Sequence, residues 1–144
     1  MSKPGTRLTT GVLAAALSIA TSGWAATDAN LPPVRTQGEV TYMSGGVGLD
    51  QQVAMKQTAY HYPLELEFLE DGEGHAFFAA GVQVTITDRT GNVVLDARSD
   101  GPFLLATLPD GQYTISADNS GSVKTRRVTI GRDKHTMVVF TWRA

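Results

Sequence analysis

From Leu64 onward the chain alternates apolar and polar residues in short runs, each broken by a turn that carries glycine or proline. That period of two constrains the fold more than any other feature, because it is the signature of strands with one buried face. Leu64, Leu66 and Phe68 alternate with Glu65 and Glu67, which predicts a strand whose glutamates face water. Val82, Val84 and Ile86 follow, then the turn Asp88–Asn92, then Val93, Leu95 and Ala97, which together read as a hairpin. Phe103 to Leu108 is an apolar run, Tyr113, Ile115 and Ala117 alternate again, and Val123–Ile130 and Thr136–Trp142 complete the series.

Turn signals about ten residues apart predict an all-β chain, an antiparallel β-sandwich of about seven strands. One more strand is expected at Gly38–Met43. Between it and Pro63 lies one helical pattern, 49–60, in which Leu49, Val53, Ala54 and Tyr60 fall on one stripe and Asp50 stands where an N-cap belongs. Pro63 ends the helix by removing a backbone donor.

The first residues have a different logic. Lys3 and Arg7 precede an apolar run, Gly11–Ala20, and Gly23-Trp24-Ala25 sets small residues before a cut, so residues 1–25 read as a signal peptide cleaved after Ala25. The apolar run is far short of the roughly 20 residues a membrane-spanning helix needs. No transmembrane anchor is therefore expected, and no cysteine is present to carry a lipid. The expected location is the periplasm. Residues 26–36, with Pro32 and Pro33, read as an extended lead-in, and 37–144 as the sandwich domain.

Composition closes off several function classes. A chain without cysteine has no disulfide framework, thiolate metal site or cysteine nucleophile. Removing residues 1–25 leaves ten basic against fourteen acidic groups, a net charge of −4, which gives nucleic acid no basic face. The sequence has no H-E-x-x-H, G-x-S-x-G or S-x-x-K, and Pro63 keeps His61 and Glu65 off a shared helical face. No catalytic residues and no cofactor are expected, and the methionines are too scattered to form a copper site.

The stretch VQVTITDRTGNVVLDARSDGPFLLATLPDGQYTISA resembles the carboxypeptidase regulatory-like domain, a transthyretin-like (prealbumin-like) sandwich, over a core of 81–142. The most specific element is Leu108-Pro109-Asp110-Gly111-Gln112-Tyr113. There Pro109 and Gly111 would fix a turn, and Tyr113 would bury its ring while its hydroxyl bonds back to that turn. Pro102 departs from the family pattern and predicts that its strand starts as an edge. The segment Tyr42–Phe68 is similar to the front part of small exported proteobacterial proteins of this class. The resemblance implies a non-catalytic module that acts by binding or structural support, with an envelope protein or glycan as partner. The alternative it implies is a transthyretin-like hydrolase that opens 5-hydroxyisourate. That family ends in Y-R-G-S, whereas this chain ends Thr141-Trp142-Arg143-Ala144.

Two groups of residues are binding candidates. Ser44, Gly45 and Gly46, in a glycine-rich loop that enters the helix at Asp50, could present backbone amides to an anion. Glu70, Asp71 and Glu73, in the acidic run after the glutamate strand, could gather a hard cation. Lys124, Arg126, Arg127, Arg132 and Lys134 read as a strand edge guarded by charge.

Overall fold

The computed structural model describes residues 29–144. The signal peptide expected at 1–25, and the start of the lead-in, lie outside the described residues.

Ten strands form two sheets: β1 (Arg35–Gln37), β2 (Val40–Gly45), β3 (Leu64–Gly72), β4 (His75–Phe78), β5 (Gln83–Asp88), β6 (Val93–Arg98), β7 (Phe103–Thr107), β8 (Gly111–Asn119), β9 (Ser122–Ile130) and β10 (Thr136–Arg143). Helix α1 (Leu49–Thr58) and a 3-10 turn, Ala59–His61, connect β2 to β3. The first sheet runs β1-β2-β7-β3-β10, with β4 also paired to β3. The second runs β6-β5-β8-β9. The fold is the expected all-β sandwich with one short helix, built from more strands than the sequence announces.

The second sheet follows the alternation. Val84, Ile86, Leu95, Ile115 and Ala117 are buried, while their neighbours Gln83 and Asp96 are exposed. Against them the first sheet lays Leu64, Leu66, Phe68, Leu104 and Phe140, and Trp142 shares this core. Phe140 and Trp142 thus fill the interior, as the alternation of the last strand predicts.

The first sheet is covered on its other face as well, and this overturns the wet face expected for β3. Met55 and Ala59 from the helical segment pack on Met43, Phe103 and Leu105. Beneath this cover Glu65 and Glu67 are 6% and 8% exposed. Two-sided burial also explains why β7 reads FLLA without alternation.

Other expectations are corrected in detail. The buried helical positions are Ala54 and Met55, while Leu49, Val53 and Tyr60 stay exposed. The helix is capped at Gly48, with no side-chain cap, so Asp50 lies in the first turn, where its carboxylate suits the positive end of the helix dipole. Strand β1 takes up the end of the proline-containing lead-in. Strand β7 is central, not an edge, between β2 and β3. Pro102 is tolerated because pairing starts only at Phe103, opposite Gly45, and the Pro102 carbonyl accepts from Phe68 N at 2.9 Å. Strand β10 runs parallel to β3, the one exception to the antiparallel pattern.

Candidate functional site

The glycine-rich loop is occupied by its own chain. The side-chain oxygen of Gln51 accepts from Gly46 N at 2.7 Å and from Val47 N at 3.3 Å. Ser44 Oγ accepts from Asp100 N at 3.1 Å and lies 3.3 Å from Asp100 Oδ2, and Arg35 reaches the same carboxylate at 3.5 Å. Gly101 lies so close to Gly45 that a Cβ on Gly101 would collide with the Gly45 carbonyl, and one on Gly46 would enter the Phe103 ring. The amides seen in the sequence as an anion cradle thus join strand ends and helix start, and Asp50 sits exposed beside them.

The acidic run is dispersed. Glu70 faces the second sheet and accepts from Asn119 Nδ2 at 2.8 Å. Asp71 is exposed, and Glu73 turns away in a left-handed conformation at φ 43°. Among the described residues no three histidine, aspartate or glutamate side chains converge as a metal site would need.

The buried glutamates instead meet cations or histidine. Lys56 Nζ lies 3.5 Å from Glu67 and 5.2 Å from the centre of the Phe103 ring. His135 Nε2 lies 2.8 Å from Glu65 Oε1, while its Nδ1 lies 2.7 Å from the Tyr62 carbonyl. His135 borders a cavity of about 450 Å³ that Tyr62, Asp110, Arg132 and Lys134 also line. Both ring nitrogens already have partners in the chain. The Tyr62 phenol is pushed up by burial.

In the second sheet, the Tyr113 hydroxyl donates to the Pro109 carbonyl at 2.6 Å, the bond expected from the turn motif. Burial first, and then the carboxylates of Asp88, Glu39 and Asp110, raise the Tyr113 phenol above its ordinary value. Asp88 is held below the usual carboxylate range by the Thr90 hydroxyl and the Asn92 amide.

The two edges of this sheet differ. At β6, the Gln37 side chain behaves like a strand: its Nε2 donates to Asp96 O at 2.9 Å and its Oε1 accepts from Asp96 N at 3.0 Å. That amide caps the β6 edge at Asp96. At the opposite edge, β9 is nine residues long and exposed from Ser122 to Arg127. At its start Trp142 Nε1, from the other sheet, donates to Ser122 O at 2.9 Å. The sequence marks β9 by its run of cations, but nothing in it marks Gln37, whose partner lies 59 residues away.

No family model matches the chain, and no curated protein matches it. Among solved structures, the chain is similar to 5-hydroxyisourate hydrolase of Klebsiella pneumoniae, with a TM-score of 0.42 and 16% identity over 55% of this chain and 89% of that one. No helix among the described residues is long and apolar enough to cross a membrane.

Proposed function

We propose that this chain is an exported module that works in the periplasm by binding, without a catalytic step of its own. Export rests on the pattern of residues 1–25, and the transthyretin-like, regulatory-like character on the Leu108–Tyr113 motif. The observation that carries the binding reading is the unequal finish of the second sheet: Gln37 caps the β6 edge at Asp96, and among the described residues no strand pairs with the long β9 edge. An open, long strand edge is a template for pairing, which proteins ordinarily block unless it is used.

The test is cross-linking of the tagged chain in living cells, with an unrelated exported sandwich as control. The reading predicts a reproducible partner and an N-terminus at Ala26 in the exported form. Capture no better than the control, or decay of 5-hydroxyisourate by the purified protein faster than in buffer, would overturn it.

A further inference from the structure

We infer that the free edge of β9 accepts an extended, acidic peptide segment of another protein as a fifth strand of the second sheet. This inference rests on the binding reading above and names the surface and the chemistry of its partner.

The geometry of the β8–β9 hairpin determines what the edge offers. Asn119 pairs with Ser122 across a two-residue turn in which Ser120 and Gly121 both have positive φ, 53° and 96°. Such a turn makes Asn119 and Ser122 a hydrogen-bonded closing pair, and bonded and non-bonded pairs then alternate along the ladder. Lys124, Arg126 and Val128 therefore turn their backbone groups toward β8. Val123, Thr125, Arg127 and Thr129 turn theirs outward, and among the described residues no strand pairs with them.

Charge specifies the occupant. The ion pairs among the described residues are Arg35–Asp100, Lys56–Glu67 and His135–Glu65, so Lys124, Arg126 and Arg127 enter none. The carboxylate and amide at the hairpin end of the ladder are already engaged: Asp118 Oδ1 accepts from Gly121 N at 2.7 Å, and Asn119 binds Glu70. Register puts Lys124 and Arg126 opposite the buried Ala117 and Ile115, and Arg127 opposite Thr114, so cations project from both faces of the edge. The Arg126 guanidinium is steadied 5.9 Å above the centre of the Phe140 ring. A strand with carboxylates on alternate residues of either face meets a cation across the new ladder. A second copy of this chain would instead set cation against cation, so the charges that block self-pairing select an acidic partner.

The experiment measures binding of the full chain recovered from the cell to an acetylated strand-length peptide alternating glutamate with valine or threonine. It compares that peptide with a lysine-for-glutamate version and with one N-methylated on alternate residues. The glutamate peptide should bind, weakening as salt screens the charges. The triple variant Lys124→Glu, Arg126→Glu, Arg127→Glu should lose about tenfold or more in affinity. N-methylation should cost about tenfold as well, because it removes main-chain donors. Thr125→Pro removes an outward N–H, which an edge strand tolerates, so that variant should melt like the wild type and fail to bind.

Unfolding of Thr125→Pro, equal binding of the N-methylated peptide, or equal binding of an acidic polysaccharide would each overturn the inference. A wild-type chain that captures an envelope partner in cells yet ignores the glutamate peptide would overturn the edge inference and leave the binding reading standing. Capture of nothing would overturn both.

Discussion

His135 Nε2 lies 2.8 Å from Glu65 Oε1, joining the turn before β10 to the covered face of β3 across 70 residues of sequence. The other ring nitrogen faces the Tyr62 carbonyl at 2.7 Å, an oxygen that can only accept, so Nδ1 is the donor on that side of the ring. A glutamate that alternation alone would place in water is thus held indoors by a partner far along the chain.

Replacing that partner should be costly. His135→Ala leaves Glu65 covered and unpaired, which should destabilise the protein by about 2 kcal/mol, whereas Glu65→Gln keeps a hydrogen bond to the ring and should cost less than about 1 kcal/mol. Denaturant unfolding reads both. An unchanged midpoint in His135→Ala would show that the contact contributes nothing.

Tyr113 gives the protein an alkaline limit. Its phenol must keep its proton to donate to Pro109, and burial raises its titration above the ordinary value. A group raised on folding contributes stability that is fully present below its unfolded value, about 10, and is lost as pH climbs through the folded value. Tyr113→Phe should cost about 1 kcal/mol at neutral pH and flatten the alkaline loss, leaving the part due to Tyr62. Melting curves between neutral pH and the phenol range check this. An equally steep loss in the variant would rule Tyr113 out as its source.

Close backbone approach makes Gly101 intolerant of any side chain. Gly101→Ala drives a methyl into the Gly45 carbonyl and should cost about 1–3 kcal/mol or more, while Gly45 and Gly101 shift apart. Gly121→Ala is the comparison, since its Cβ would meet open space and its cost comes from φ alone. A smaller loss at Gly101 than at Gly121 would show that the approach relaxes without strain.

Gln37 should protect the protein from itself. Gln37→Ala removes both bonds to Asp96 and bares the β6 edge, so stability should fall by about 1–2 kcal/mol and light scattering should reveal association that the wild type lacks. A variant that stays dispersed and equally stable would remove Gln37 from that role.

The second sheet was legible in the sequence because one face is wet, and residues such as Val84 and Thr85 therefore sort by polarity. The first sheet was legible only in part. Its outer face is covered by α1 and by the turn that carries His135, so Glu65 and Glu67 kept the polarity of a wet face while occupying a dry one. Strand β4, HAFF, does not alternate and is exposed throughout, so no period could reveal it. In the candidate site, the cations of β9 were visible as an edge, but its openness depends on the contrast with Gln37 at the far side of the sheet, which only folding sets up. The loop at Ser44–Gly46 advertised free amides, and Gln51, five residues past Gly46, satisfies them.

The measurement that bears most directly on the open edge is residue-resolved amide hydrogen exchange of the unbound protein. The amides of Val123, Thr125, Arg127 and Thr129 should exchange quickly, those of Lys124, Arg126 and Val128 slowly, and that of Asp96 slowly under its cover by Gln37. Uniform protection along β9 would contradict the account, because it would mean that the edge on which the binding reading rests is already paired.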